Sequence, residues 1–289
     1  MMPSRTRGEE AAVSVRVVTD SACDLPPALV AELDIAVVPL TIRFGDEELV
    51  DGEQLTNAAF WQRLPDAASL PETAAPSAGA FEARFRALAE AGADGIVCVN
   101  LSSRLSATMQ AAQVAAQTFD GCPVRIVDSL TCSMGLGNLC LAAARRARDG
   151  APIDEIVEEV TDRRDRTRLF GTLDTLEFLK RGGRIGNARA LLGSMLAVKP
   201  VVEVRDGVVE EAGKVRTRSK ALRLLADKVH EQPVEDVAVL QGDASDIDAF
   251  LDLIEDVAPR DKIVVGSVGP VIGTHAGPGV LGVTFQISG

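Results

Sequence analysis

Short runs rich in Val and Ile alternate with helix-like segments through the first half of the chain, and this alternation constrains the fold more than any other feature. A buried strand is predicted at residues 13–18, and further strands are predicted at residues 35–44, 95–101 and 124–129. Helices are predicted at residues 27–34, 56–64, 81–92, 106–119 and 135–150. Strands that alternate with helices favour a parallel sheet with helices on its faces. We therefore predict an α/β fold with a Rossmann-like parallel-sheet domain at residues 13–150, preceded by a disordered tail at residues 1–12.

The second half of the chain has a more mixed pattern. A charged, exposed-looking helix at 153–168 is predicted to link the two halves. Residues 199–216 are predicted to form a hairpin of two strands with alternating side-chain character. The strands lie on either side of Asp206-Gly207, a pair typical of the type I′ turn. Further strands are predicted at 237–243, 262–272 and 279–287, and further helices at 217–231 and 247–257. This half is predicted to form a smaller α/β domain with a mixed sheet, residues 151–289, and a ligand cleft is predicted between the two domains.

Charge and composition exclude several classes of partner. The formal net charge is −12, which disfavours binding to nucleic acid or to an anionic membrane surface. The chain has no tyrosine and a single tryptophan, so a base-stacking surface is not expected. The sequence contains no run of 18 apolar residues, so no integral membrane segment is predicted. The five cysteines include no CxxC pair, which predicts buried free thiols in a reducing cytoplasm.

The usual nucleotide and metal motifs are missing. Neither GxxxxGK[ST] nor a GxGxxG after the first strand occurs, so binding of ATP or NAD by those routes is not expected. The two histidines, His230 and His275, stand far apart and outside any zinc motif, so no metal site is predicted. His230 lies late in a charged helix and is predicted to be on the surface.

Hydroxyl-rich segments follow several predicted strands. They are residues 18–21, 100–108 and 127–129, and a further hydroxyl-rich segment, residues 72–77, is predicted to be a loop that precedes a helix. Ligands bind at the carboxyl ends of strands in open α/β sheets, and hydroxyls beside helix starts suit an anion. The same residue types also cap helices, so each segment alone has an ordinary structural explanation. The pattern leaves open whether Asp20 and Asp128, at two of these strand ends, contact a ligand or only cap helices.

His275 lies in an unusual context, the glycine- and proline-rich stretch "GPVIGTHAGPG" at residues 269–279. This stretch is predicted to be a loop, in which Gly273, Gly277 and Gly279 allow positive φ angles and close approach of the backbone to its neighbours. Such a loop can present an imidazole at a cleft in a fixed orientation. The alternative is a tight crossover that needs glycine and carries the histidine incidentally.

Six motifs in a fixed order resemble the DegV family, which supplies the fatty-acid-binding subunit of bacterial fatty acid kinase. They are "VTDSACDLP" (18–26), "TAAPS" (73–77), "LSSRLSAT" (101–108), "IVDS" (126–129), "KRGGRIG" (180–186) and "GPVIGTHAGPGVLGV" (269–283). The resemblance covers residues 13–289. It implies a carrier without catalytic residues or a cofactor of its own, which holds a long-chain fatty acid such as palmitate in an apolar tunnel.

The resemblance also implies roles for particular residues. Thr73, Ser106 and His275 match the positions that contact the fatty acid carboxylate. A separate ATP-dependent kinase subunit would phosphorylate that carboxylate, and the acyl phosphate would serve phospholipid metabolism. Arg184, the arginine of the motif "KRGGRIG", is a candidate for contact with the kinase or the new phosphate, and Arg216 in "KVRTRSK" is a second candidate.

The sequence departs from the family pattern at two places and leaves some alternatives open. Ala74-Ala75 replaces the usual Ser-Gln, and Ala107 replaces the usual glycine. These changes leave the preferred chain length open more than the ligand class. One alternative is a small-ketone-binding enzyme component that resembles dihydroxyacetone kinase, with a reactive histidine. Another is a regulatory protein with a vestigial site. The kinase partner and the oligomeric state stay undetermined.

Overall fold

A computed structural model describes residues 14–194 and 198–289, so the predicted disordered tail lies outside the described residues. The strands are β1 Val15–Asp20, β2 Ala36–Val38, β3 Thr41–Phe44, β4 Glu47–Val50, β5 Glu72–Ala74, β6 Gly95–Asn100, β7 Val124–Asp128, β8 Thr167–Thr172, β9 Lys199–Arg205, β10 Val208–Val215, β11 Val234–Gly242, β12 Val264–Ser267 and β13 Val280–Ile287. The helices are α1 Pro27–Glu32, α2 Asn57–Arg63, α3 Ala78–Glu90, α4 Thr108–Thr118, α5 Ser133–Arg148, α6 Ile153–Arg166, α7 Glu177–Arg181, α8 Arg218–His230, α9 Ile247–Asp252 and α10 Pro270–Ala276.

The first sheet has the strand order β2-β1-β6-β7, and all its pairs are parallel. Every residue of β6 is buried, because helices cover both faces of the sheet. Phe81 and Phe85 of α3 pack with α4 residues on one face. Helices α5 and α6 pack on the other face. This parallel layer confirms the Rossmann-like α/β prediction for the amino-terminal part of the chain.

The charged helix α6 does more than connect the two halves of the chain. Its apolar residues Ile156 and Val160 are fully buried. The helix packs against α5 and against β6 and β7 of the first sheet. Its Asp, Glu and Arg residues lie on the rest of the helix surface, as expected for an amphipathic surface helix.

A small antiparallel sheet, β4-β3-β5, corrects two predictions. The strand predicted at 35–44 is divided into β2 and β3, which belong to different sheets. Pro39 has no backbone N–H, and the N–H of Leu40 donates to Ser21 Oγ instead of to a strand. The segment 72–77 was predicted to be a loop, but its first three residues form β5 and pair with β3.

The second sheet is mixed and has the strand order β10-β9-β8-β13-β11-β12. Only its β11–β12 pair is parallel; the others are antiparallel. The predicted hairpin is present, and Asp206 and Gly207 have the positive φ angles, 49° and 81°, that a type I′ turn requires. Helix α8 packs against β8, β9 and β10 on one face of this sheet. The other face points toward the amino-terminal half.

The segment at 262–272 was predicted to be one strand, and this prediction is wrong. Strand β12 ends at Ser267, and α10 begins at Pro270. Proline suits the first turn of a helix, where its missing N–H would have no partner in any case. The stretch around His275 is therefore a short helix rather than a loop. Gly277 and Gly279, both with φ of 77°, make the turn that leads into β13.

Candidate functional site

A cavity lies against the inner face of the six-stranded sheet and has an empty volume of about 960 Å³, its open part included. Residues from both halves of the chain line it. Most of them are aliphatic: Leu40, Leu101, Leu105, Leu169, Leu173, Leu179, Val202, Val204, Val209, Leu240, Val268, Val271, Ile272, Ala276 and Val280. The side chains with polar groups are few: Thr73, Ser106, Cys132, Ser133, Arg184 and His275. A largely apolar pocket with a few polar groups is typical of a site for a small amphipathic molecule.

Thr73 and His275 are in direct contact across the cavity wall. The Oγ1 atom of Thr73 lies 3.1 Å from Nε2 of His275, although the two residues are 202 positions apart. Thr73 is held in β5, opposite Ile42 of β3. His275 lies in the last turn of α10. The fold thus brings together two of the three residues that the sequence predicted to bind a carboxylate.

Helix α10 is anchored at its beginning by a buried carboxylate. Gly269 donates its backbone N–H to Oδ1 of Asp24 over 2.9 Å, and Ser133 donates its hydroxyl to Oδ2 over 2.6 Å. Asp24 itself has a positive φ of 50°. Burial raises the pKa of Asp24 to about 7, against the lowering effect of these two hydrogen bonds. Sequence reasoning missed this residue, because an aspartate after a strand is usually a cap.

The middle of α10 is packed against the only tryptophan. Trp61 donates its indole N–H to the carbonyl of Val268 over 2.9 Å. A Cβ atom at Gly273 would lie 2.6 Å from Phe60 and 2.9 Å from Trp61. Gly273 does not have a positive φ, and of the two roles predicted for it the close approach of the backbone to its neighbours is the one that the structure shows. These contacts fix the helix, and with it the position of His275.

The imidazole of His275 is neutral at neutral pH. Burial and, to a smaller extent, the positive charge of Arg184 lower its pKa to about 4. Its Nδ1 atom is buried and has no hydrogen-bond partner among the described residues. The ring lies so close to Gly182 that a Cβ atom there would be 2.2 Å from Nδ1. Gly182 is thus a second residue that sequence reasoning missed, since nothing local indicates its contact with His275.

Ser106 and Arg184 complete the polar end of the lining. The hydroxyl of Ser106 lies 2.9 Å from that of Thr108 and accepts the backbone N–H of Thr108 over 3.2 Å. Arg184 donates to the carbonyls of Leu105 and Gly182, over 3.1 and 2.7 Å. None of the described Asp or Glu side chains lies within 4 Å of its guanidinium. The cavity therefore contains a cation that is not paired with any carboxylate in residues 14–194 and 198–289.

The remaining predicted site residues lie elsewhere. Arg216 is exposed after β10 and does not line the cavity. Asp20 is fully buried, where it accepts hydrogen bonds from Ala22, Asn100 and Leu101, and burial raises its pKa to about 6. Asp128 accepts hydrogen bonds from Ser103 and Leu130. Neither aspartate lines the cavity, so both organise the strand-end loops.

Other groups noted in the sequence have ordinary surroundings. His230 bonds to Asp256 and to the carbonyl of Ala226 near the surface. All five cysteines are free, and four of them are buried. Within residues 14–194 and 198–289, no group of three or more His, Cys, Asp or Glu side chains is arranged to hold a metal ion. No helix in the same ranges combines the length and apolar character needed to cross a membrane.

Comparisons with known proteins agree with this architecture. The model of the DegV family, described as "Uncharacterised protein, DegV family", matches residues 14–288. A DegV domain-containing protein of Streptomyces coelicolor is 42% identical over 278 residues, which cover 94% of this chain and 98% of the relative.

Solved structures are similar over nearly the whole chain as well. One is a DegV family protein from Thermus thermophilus for which fatty acid binding is described. It has a TM-score of 0.87 and 32% identity, and the match covers 95% of this chain and 100% of the Thermus chain. DegV of Bacillus subtilis, described as a fatty acid binding protein, has a TM-score of 0.83 and 28% identity, covering 96% and 100%.

Proposed function

Because the chain belongs to the DegV family, we propose that it holds a long-chain fatty acid in the cavity and presents the carboxylate to a separate ATP-dependent kinase subunit. The observation that carries this proposal is the cavity itself, whose lining is aliphatic except at a few polar residues. Four of these residues, Thr73, Ser106, Arg184 and His275, are here called the polar group. The fatty acid binding described for the similar proteins of Thermus thermophilus and Bacillus subtilis supports it.

The polar group suits a carboxylate. An ionised carboxylate in an apolar cavity must have hydrogen-bond donors and a nearby positive charge, or its desolvation is too costly. Thr73 and Ser106 each offer a hydroxyl, and His275 can offer a ring N–H. Since the imidazole is neutral at neutral pH, Arg184 is the residue that supplies positive charge. A bound carboxylate would in turn raise the pKa of His275, because a nearby anion favours the imidazolium.

The aliphatic lining suits the hydrocarbon. Burying roughly 15 methylenes at about 0.8 kcal/mol each gives on the order of 12 kcal/mol before the costs of association. Ordering the chain and losing translational freedom take away much of that gain. The tail therefore supplies most of the affinity, and the polar group sets which end of the molecule faces the kinase. A compact polar site for a small ketone would need fewer aliphatic residues than the 15 that line this cavity.

The binding step is tested by mass analysis of the purified full-length protein. Native mass spectrometry and lipid extraction are expected to find one long-chain fatty acid per chain. A covalent adduct of a small ketone on His275 would instead support the enzyme alternative. A protein that neither retains nor takes up palmitate would refute fatty acid binding.

The presentation step needs a second assay. The palmitate-loaded protein is mixed with a bacterial fatty acid kinase subunit and ATP, and the acyl phosphate is trapped with hydroxylamine. Formation of the palmitoyl hydroxamate only when both proteins are present supports the proposal. If palmitate binds but no kinase subunit yields the hydroxamate, the carrier part of the proposal stands and the kinase part fails.

A further inference from the structure

Two glycines lie side by side in the centre of the six-stranded sheet. Gly171 of β8 pairs with Gly282 of β13. The same row continues to Val202 of β9 on one side and to Leu240 of β11 on the other. All four residues line the cavity. The row therefore has side chains at its two ends and none at its centre.

The missing side chains leave a trough in the inner face of the sheet. Neighbouring strands lie about 4.8 Å apart, so two bare strands make a strip roughly 10 Å wide. On the same face, the rows beside the glycines carry Leu169 and Val280, both buried. We call the backbone of Gly171 and Gly282 the glycine floor.

The conformation of the backbone does not require glycine at either position. Neither residue has a positive φ. A Cβ atom at Gly171 would meet only the carbonyl oxygen of Leu281, at an ordinary contact distance of 3.7 Å. A Cβ atom at Gly282 would be 3.3 Å from the carbonyl oxygen of Phe170, which requires only a small adjustment.

Glycine in the interior of a strand nevertheless weakens it, and it often marks a place where a ligand comes close to the backbone. The opposite face of the same strands is filled by large side chains, among them Phe170, Leu281 and Phe285. The sheet is thus densely packed on one face, whereas its other face is bare at Gly171 and Gly282. The bare part faces the cavity, so its effect is to enlarge the cavity.

We infer that Gly171 and Gly282 are specificity-determining residues, and that the hydrocarbon of the ligand lies on the glycine floor. This inference rests on the proposed fatty acid binding. It assigns the long-chain preference to the missing side chains: the trough provides the room that distinguishes a long acid such as palmitate from a shorter one such as decanoate. Any side chain at Gly171 occupies that room.

The test compares two fatty acids in variants of the delipidated full-length protein. In Gly171→Val, the added side chain takes up about three methylenes of space, so the affinity for palmitate is expected to fall by about 50-fold. The affinity for decanoate, whose shorter chain needs less of the cavity, is expected to change less than about threefold. Gly171→Ala should give a smaller change in the same direction, about fourfold for palmitate.

Gly266→Ala is the matched control, because Gly266 lies in β12 of the same sheet and outside the cavity lining. Its added Cβ would also meet only ordinary contacts, the nearest at 3.6 Å. The control should bind both acids as the wild type does. If Gly171→Val does not fold, as judged by thermal unfolding, Gly171→Ala carries the test.

The outcomes separate this inference from the proposed function. If the wild-type protein binds neither acid, fatty acid binding itself fails. If the wild type binds palmitate and the Gly171 variants keep the wild-type ratio of palmitate to decanoate affinity, the glycine floor does not determine specificity and the inference is overturned.

Discussion

Replacing Gly182 with alanine tests whether the position of His275 determines head-group binding. Gly182 has φ of −70° and ψ of −8°, which any residue can adopt. An added Cβ atom would lie 2.2 Å from Nδ1 and 2.9 Å from Cε1 of His275. Because unstrained contacts begin near 3.4 Å, the imidazole must move by about 1 Å. The Cβ atom would also lie 3.1 Å from the carbonyl oxygen of Phe178, a contact that requires a shift of only a few tenths of an ångström. Glycine at this position therefore serves mainly the histidine.

The size of the effect follows from the hydrogen bonds that the ring would lose. The moved ring cannot keep its 3.1 Å alignment with Thr73 and cannot donate to a carboxylate held by that threonine. A hydrogen bond to a charged group contributes about 1.5–3 kcal/mol. We expect Gly182→Ala to weaken palmitate binding by about 10-fold to 100-fold, measured by calorimetric titration of the delipidated protein.

Gly183→Ala provides the control, because its properties are opposite. Gly183 has a φ of 72°, and a Cβ atom there would meet nothing within 4 Å. Alanine at this position costs about 1–2 kcal/mol of backbone strain and leaves the imidazole in place. Gly183→Ala should therefore lower the unfolding temperature and keep the affinity for palmitate.

A double-mutant cycle completes the test. If Gly182 acts only through His275, then Gly182→Ala should have little further effect in a His275→Ala background. Wild-type affinity in Gly182→Ala would refute the reasoning. So would an equal loss of affinity with and without His275.

Three further predictions follow from the charged groups. The chain has only two histidines, so NMR titration can resolve them, and His275 should titrate near pH 4 without ligand. Its pKa should be higher with palmitate bound, because an anion is added, and higher in Arg184→Ala, because a cation is removed. Arg184→Ala should also reduce hydroxamate formation with the kinase subunit at saturating palmitate; unchanged turnover would remove Arg184 from the kinase step. The pKa of Asp24 is raised from 3.8 to about 7, so the folded state binds more protons than the unfolded state between these values and loses stability as the pH rises through them. Relative to Asp24→Asn, the wild type should therefore lose about 3 kcal/mol of unfolding free energy between pH 5 and pH 8 in chemical denaturation; parallel pH profiles would contradict this.

Local sequence pattern was sufficient where neighbouring residues decide the structure. The short Val- and Ile-rich runs of β1, β6 and β7 alternate with helical segments, and this alternation predicted a parallel sheet. The Asp206-Gly207 pair predicted the hairpin, because few residues adopt two successive positive φ angles. For the hairpin the information lies within a few residues, and for the parallel sheet it lies in the order of successive segments.

Local sequence pattern failed to predict the secondary structure where a contact with a distant residue decides it. The stretch at 269–279 has too much glycine and proline to predict a helix, yet α10 forms there. Its first N–H is held by Asp24, 245 positions away, and its glycine packs on Trp61. Likewise, Thr73 was expected in a loop, but pairing with β3 makes it part of a strand. Such pairings cannot be read from the segment itself.

The residues of the candidate site likewise fall into two classes, those found from the sequence and those that depend on distant contacts. Thr73, Ser106, Arg184 and His275 were found by resemblance to family motifs, and all of them line one cavity. Gly182 was quoted within one of those motifs, but its contact with His275 joins segments that are 93 positions apart. Gly171 and Gly282 gave no signal, because their meaning depends on strand register.

The balance of energies indicates what the polar group contributes. If the tail contributes on the order of 12 kcal/mol before costs, and each polar contact about 1.5–3 kcal/mol, loss of one contact weakens binding without abolishing it. The buried Nδ1 of His275, the guanidinium of Arg184 with no described carboxylate beside it, and the buried carboxylate of Asp24 that anchors α10 would be costly in a site that only needed to hold hydrocarbon. Their arrangement is explained if the carboxylate must be held in one orientation for a second reactant. Head-group variants should therefore impair transfer to a phosphoryl donor more than they impair occupancy, whereas variants of the glycine floor should do the reverse.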